Sequence, residues 1–322
     1  MKAIVQDRYG SPDILELRDI ESPNIDDEQV LVEVHAASVN ALDWHATRGM
    51  PYLIRLDGSL RKPKHRVRGV DLAGRVVAVG KNVTGFEAGD SVFGGSNGSF
   101  AEYTATTEDR LARKPDGWTY EQAAALDVAG MTALQGLRDK AQLQPGQSVL
   151  INGAGGGVGT FAVQIAKSLG AHVTAVTRTE SVELVRSIGA DEVIDYRAED
   201  FTRRNERYDV VFDIGGNRPL LRCRRITVHK GAIVVVGGPA GRWLAPATRM
   251  LEAALLSPFI RQRLIPFISK DDSASLARLA ELAQTGLIRA VIDRQYPLNE
   301  AAEAIKYVGA GHARGKVVVN VR

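Results

Sequence analysis

The hexapeptide Ala-Gly-Gly-Gly-Val-Gly at 154–159 places Ala154, Gly156 and Gly159 at the spacing of a Gly-x-Gly-x-x-Gly turn. The chemistry such a turn serves is the binding of a dinucleotide pyrophosphate. A side chain missing at Gly156 lets the backbone approach the phosphates, and one missing at Gly159 lets a helix pack closely on its strand. The N–H groups and positive dipole end of that helix then face the anion. A second set of residues selects the dinucleotide. A site for NAD usually carries an acid about twenty residues past the glycines to bond the ribose 2′-hydroxyl, whereas a site for NADP carries a cation against the 2′-phosphate. Here the sequence reads Thr177, Arg178, Thr179. The planar guanidinium of Arg178 suits a phosphate, and the threonine hydroxyls are further donors, so NADPH is the expected cofactor. Glu180 follows at once, and a small shift of the turn would bring its carboxylate to the ribose instead.

These residues work only if the surrounding elements hold them. Val149, Leu150 and Ile151 form a short apolar run of the kind carried by a strand buried on both faces. Phe161, Val163, Ile165, Ala166 and Leu169 follow with helical spacing, Gly170 is placed to end the helix, and residues 172–176 predict the next parallel strand. Strands are expected at 192–195, 209–213 and 232–236, with a helix at 183–188. That alternation predicts an α/β fold with a doubly wound parallel sheet. Before it, from 1 to about 126, short strands at 2–6, 29–36, 72–79, 91–93 and 100–104 are joined by glycine-rich turns. After it come a helix at 273–284, a strand at 290–296, a helix at 299–309 and a strand at 316–321. The last strand is expected to return to the N-terminal module.

Composition narrows the classes. With 322 residues, 44% hydrophobic and 25% charged, the chain reads as a globular protein of two domains. A formal charge of +3 is too small to suggest a nucleic-acid partner. The single cysteine, Cys223, excludes an intrachain disulfide and a multi-cysteine zinc lobe, and suits a cytoplasmic setting. The apolar stretch 251–268 is interrupted by Pro258, Arg261, Arg263 and Pro266, so no membrane span is expected.

The segments VNALDWHATRG (39–49), GVDLAGRVVAVG (69–80), GDSVFG (89–94), AGMTALQGL (129–137), AGGGVG (154–159), GADEVIDY (189–196) and GHARGKVVVNV (311–321) occur in this order. Together they resemble the zinc-independent quinone oxidoreductase branch of the medium-chain dehydrogenase/reductase superfamily. The resemblance implies a GroES-like catalytic domain at 1–126, a Rossmann NADPH-binding domain at 127–271 and a C-terminal return at 272–322. It implies a small quinone or enone as substrate. Zinc relatives have a cysteine where this chain has Asn40, and a His-Glu pair where it has Val70 and Asp71. Neither thiolate nor imidazole is available there, so no catalytic zinc is expected.

The resemblance also implies roles for individual residues. Ala154, Gly156, Gly157, Val158 and Gly159 would line the pyrophosphate, and Arg178 and Tyr196 the 2′-phosphate. Gly237, Gly238 and Thr132 would lie near the nicotinamide half, and Arg314 would reach the cofactor. Asn40, Asp43 and Tyr52 fall in the segment facing the nicotinamide: Asn40 to hydrogen-bond a ligand or the ribose, Tyr52 as a proton donor, and Asp43 either ordering its loop by pairing with Arg48 or acting as a base. His45 reads as a loop histidine. Pro is usual in the family at the position of Asp127. Arg66 and Arg68 either point inward, toward an anionic acceptor or a carrier-bound enoyl chain, or outward into solvent. The family further implies a homodimer through an edge strand at 264–269, unless the helix at 250–256 caps the cleft. A non-catalytic NADPH-binding protein on the same fold remains the alternative of a different class.

Overall fold

A computed structural model describes residues 1–322 except 58, 60 and 238–246, and except the side chains of 53, 57, 247, 248 and 250. The chain divides into one unit of Met1–Met131 with Lys270–Arg322 and a second of Thr132–Ser269.

The first unit is built on strands β1 (Lys2–Val5), β2 (Glu16–Asp19), β3 (Gln29–Val39), β4 (Asp71–Val79), β5 (Ser91–Gly95), β6 (Tyr103–Thr107) and β7 (Leu111–Arg113). The helices α1 (Ala41–Arg48), α2 (Tyr120–Ala124) and the start of α3 (Asp127–Leu134) accompany them. Burial alternates along β3, with Val30, Val32 and Val34 at 0% exposure, because an antiparallel strand turns every second side chain to the core. These valines cluster with Leu72, Val76, Val92 and Leu111. The strand expected at 100–104 instead pairs over β6, three residues later. Phe100 is fully buried and Ala101 makes a single bridge to Ala3, so the apolar run there belongs to the core rather than to the ladder. β2 was not visible in the sequence because its residues are largely exposed and carry no alternation.

The second unit holds β8 (Ser148–Asn152), β9 (His172–Thr177), β10 (Glu192–Asp195), β11 (Tyr208–Asp213), β12 (Thr227–Val235) and β13 (Arg263–Pro266). They form a six-stranded sheet in the order β10-β9-β8-β11-β12-β13, every pairing parallel. The chain therefore has the expected α/β fold, a doubly wound Rossmann sheet accompanied by a GroES-like β domain. Val149, Leu150 and Ile151 are at 0% exposure, as strands covered on both faces require. The helices are α4 (Gly157–Ser168), α5 (Val182–Ser187), α6 (Leu220–Arg225) and α7 (Ala247–Leu256). Gly170 ends the first of these with φ +79°, a conformation only glycine takes without strain. Cys223 lies in the core, and burial pushes its thiol up to about 12, so it is no nucleophile at neutral pH. β13 is the last strand of the sheet and overlaps the edge expected at 264–269.

The chain then returns to the first unit through α8 (Ser273–Gln284), β14 (Ile292–Pro297), α9 (Ala301–Gly309) and β15 (Lys316–Asn320). Asp272 caps α8 by accepting the N–H groups of Ala274 and Ser275. β15 pairs antiparallel with β3 and completes a sheet ordered β14-β15-β3-β4-β5-β7, with β6 also on β3. Val317, Val318 and Val319 are at 0% exposure, which explains how five residues anchor the C-terminal segment. Among the described residues no helix is long and apolar enough to cross a membrane.

Candidate active site

In the second unit, the glycine turn joins the carboxyl end of β8 to α4. The N–H groups of Gly153 and Ala154 are spent on the Val176 carbonyl, both at 3.0 Å, which ties the turn to β9. Gly156 is the N-cap of α4, with no side chain capping it, so Gly157, Val158 and Gly159 are the helix's first residues and present its unsatisfied N–H groups. A Cβ at Gly156 would meet nothing nearer than the Gly153 carbonyl at 3.7 Å, leaving open space on the side where a phosphate would approach. At Gly159 a Cβ would fall 2.6 Å from Ala154 Cα, so this glycine is needed for packing. The cradle fits a pyrophosphate.

Arg178 follows β9 directly, with its side chain 16% exposed. Thr177 is 3% exposed and faces the turn: a Cβ at Gly155 would lie 2.6 Å from its Oγ1. Thr179 donates its hydroxyl to Asp195 at 2.5 Å. Tyr196 stands one residue past β10, donates its N–H to the Thr177 carbonyl at 3.0 Å and packs partly buried against the sheet core. Gly237 is crowded by the Ile214 carbonyl, and Gly238 lies outside the described residues. Thr132, 6% exposed, shares a hydrogen bond with Ser269 at 3.0 Å.

Also at the carboxyl ends of β8 and β11 is a network the sequence did not suggest. Asn152 donates to Asp213 at 2.7 Å and to Asn217 at 2.9 Å, and Arg249 of α7 pairs with Asp213 while 6% exposed. The only local hint was an aspartate closing the run VVFD. At the opposite, amino ends of the strands, a cavity of about 690 Å³ is lined by Arg138, Gln147, Asp209, Lys230 and Arg263; none of the expected cofactor residues lies in it.

In the first unit, Asn40, Asp43, Asp71 and Lys316 meet in a buried cluster. Lys316 is 2% exposed and donates to the Asn40 side-chain oxygen at 2.7 Å and to Asp71 at 3.0 Å. The Ser38 hydroxyl donates to Asp71 at 2.5 Å. Because an ammonium only donates, Asn40 must turn its oxygen toward Lys316, which leaves its NH2 pointing away. That NH2 is buried and has no hydrogen-bond partner among the described residues, as a donor awaiting a ligand oxygen would be. Lys316 comes from β15 and was missed as a site residue, since a lysine in GHARGKVVV reads as a surface cation before a strand.

Asp43 corrects the expected pairing with Arg48. Its carboxylate accepts the Asn40 N–H at 2.8 Å, capping α1, while the Arg48 guanidinium lies 4.7 Å from the Trp44 ring centroid. Burial raises the Asp43 carboxyl to about 6, with the Asn40 N–H and the charge of Arg68 opposing. Arg68 is 9% exposed and its own charge is disfavoured by burial. Arg66, in contrast, is exposed and paired with Asp7 at 2.7 Å. The two arginines thus part company, one inward to balance a carboxyl and one outward to a surface acid, and do not form a joint anion site. Asp127 begins α3 at 3% exposure, and burial followed by Asp71 pushes its carboxyl well up.

Tyr52 is half-buried, with the Arg55 guanidinium 4.7 Å from its ring centroid. His45, expected in a loop, lies in the last turn of α1; its Nδ1–H donates to the Met50 carbonyl at 2.9 Å, and burial lowers its pKa. Arg314 is half-exposed; its N–H donates to Asp293 at 2.9 Å and its guanidinium lies 3.9 Å from the same carboxylate. Among the described residues no three His, Cys, Asp or Glu side chains are grouped to hold a metal ion.

The chain matches two family descriptions, Alcohol dehydrogenase GroES-like domain over residues 26–116 and Zinc-binding dehydrogenase over residues 188–319. It is 34% identical over 334 residues to the NADPH-dependent alkenal/one oxidoreductase, chloroplastic, of Arabidopsis thaliana, covering 99% of this chain and 79% of that protein. It is 31% identical over 332 residues to the quinone oxidoreductase of Homo sapiens, covering 99% and 97%. The solved structure of the quinone oxidoreductase from Coxiella burnetii superposes with a TM-score of 0.88 at 31% identity, over 100% of this chain and 99% of that one.

Proposed function

We propose that this chain, which belongs to the quinone and alkenal oxidoreductase branch of the medium-chain dehydrogenase/reductase superfamily, uses NADPH to reduce quinones or α,β-unsaturated carbonyls without zinc. It is an NAD(P)H-dependent oxidoreductase by family. The preference for NADPH is carried by the cradle of Gly156–Gly159 with Arg178 just past the end of the next strand, where an NAD site usually has an acid. When bound, NADPH supplies a hydride to the acceptor.

The chain's own residues do the rest. Gly157, Val158 and Gly159 hold the pyrophosphate with backbone donors, Ala154 and Gly156 form the turn that lets it approach, and Thr177, Arg178 and Tyr196 form the end that takes the 2′-phosphate. Thr132, Gly237 and Gly238 are assigned toward the nicotinamide half, and Arg314 toward the cofactor. Lys316 fixes the Asn40 amide so that its NH2 donates to the acceptor oxygen as negative charge develops there. Asp43 holds the start of α1 and with it Asn40. Tyr52, stacked with Arg55, or water donates the proton that completes the reduction, and water re-protonates the phenol. In this scheme chemistry lies in 1–126 with 272–322, and the cofactor residues other than Arg314 lie in 127–271.

A metal plays no part in this scheme because of the donors present. Asn40 offers a neutral amide, and the Asp71 carboxylate is already engaged by Lys316 and Ser38. The test is loss of NADPH absorbance against 1,4-benzoquinone, 9,10-phenanthrenequinone, an alkenal and a simple aldehyde, with NADH and a chelator as controls. Chelator-resistant turnover on quinone or alkenal with NADPH preferred is expected. Tight NADPH binding with no turnover on any acceptor would overturn the enzyme assignment in favour of a cofactor-binding protein.

A further inference from the structure

β9 and β10 run parallel with Thr177 beside Asp195, so the residues just after each strand share one corner. Four charged side chains gather there: Arg178 and Glu180 after β9, Asp195 and Arg197 at and after the end of β10. The two cofactors make opposite demands on this corner. A carboxylate welcomes a ribose 2′-hydroxyl and repels a 2′-phosphate. Two carboxylates are present, and both are occupied. Asp195 accepts the Thr179 hydroxyl at 2.5 Å and the Arg197 N–H at 2.9 Å. Glu180 accepts the Arg197 guanidinium at 2.6 Å, while its approach to Arg178 is a looser 3.9 Å. The ionisations agree: Glu180 is held below the usual carboxylate range by its own backbone N–H and then by Arg197, and Asp195 by Thr179 first.

We propose that Arg197 is a specificity-determining residue, one that sets the preference for a 2′-phosphate by holding the Glu180 carboxylate on the β10 side of the corner. Without Arg197, Glu180 is released to close on Arg178 and to meet the ribose. The acid that threatened the NADPH assignment in the sequence is thereby restrained by a cation seventeen residues downstream. The inference rests on the NADPH reading above. Arg197 and Glu180 are half-exposed, 53% and 48%, so replacing them leaves the core intact.

The experiment is fluorescence titration of NADPH and NADH into the wild-type chain, Arg197→Ala, Glu180→Gln and the double variant, with thermal unfolding of each as a check on folding. Arg197→Ala is expected to lower the NADPH-to-NADH affinity ratio about tenfold, and the double variant to return it to within about twofold of Glu180→Gln. An unchanged ratio in Arg197→Ala, against a wild type that prefers NADPH, overturns the inference alone. A double variant as impaired as Arg197→Ala also overturns it, because Arg197 then acts on the phosphate and not through Glu180. A wild type with no NADPH preference removes both this inference and the cofactor assignment.

Discussion

Asp43 illustrates how much one buried group can govern. Its carboxyl, at 0% exposure, is raised from the ordinary 3.8 to about 6, chiefly by burial. A value higher in the folded state than in the unfolded chain means the folded protein holds this proton more tightly. The associated stability is fully present below 3.8 and is lost as pH rises through about 6. Asp43→Asn stays neutral throughout and is expected to gain on the wild type across that window. The difference in Tm, variant minus wild type, should grow between about pH 4 and about pH 7.5; a constant difference would show that the group titrates as it does in water. Lys316 matters at the same scale in another way. Removing it leaves Asp71 buried and short of its counter-ion, so Lys316→Met is expected to destabilise the fold by about 3–5 kcal/mol, and adding Asp71→Asn to recover most of that in urea unfolding.

The glycine turn and the first residues of α4 act as one element, and two of its glycines serve different ends. A methyl group at Gly159 must displace the turn, whereas one at Gly156 enters open space and suits that residue's extended φ of −91°. Gly159→Ala should therefore lower stability by about 1–3 kcal/mol. Gly156→Ala should leave Tm nearly unchanged yet weaken NADPH binding about tenfold or more, because the methyl group stands where a phosphate must approach. Equal loss of Tm in both variants would remove the distinction. The spacing of these glycines was fully legible, being a local pattern. Their separate duties were not, since they depend on which atoms of Gly153 and Ala154 come back against the helix.

At the scale of the molecule, each unit carries its own core, one built on Leu150, Phe201, Val211 and Ile233 and the others on the valines of β3 and β15. The residues proposed for the cofactor, Arg314 apart, belong to the second unit, and the Asn40 cluster to the first, which includes the C-terminal return. A ligand that binds only the folded chain stabilises it by about 2.7 kcal/mol at a hundredfold excess over its Kd. NADPH is accordingly expected to raise Tm by differential scanning fluorimetry, and NADH at the same concentration to raise it less. Equal shifts would argue against Arg178 as the selector of the 2′-phosphate.

What the sequence by itself determined is what repeats or turns locally: the apolar strands of the Rossmann sheet, the glycine turn, the cation at the end of β9, and the order of the family segments. Burial on both faces and glycine geometry leave marks within a few residues, so they can be read there. Tertiary structure alone decided the partners. Lys316 meets Asn40 across 276 residues, the charge of Arg68 rather than of Arg48 acts on the Asp43 carboxyl, and Arg66 and Arg68 face different ways although one residue separates them. Such pairings follow from the sheet order that sets β15 beside β3 and from the cost of leaving a charge buried without its opposite. No residue's neighbours in the chain record that cost.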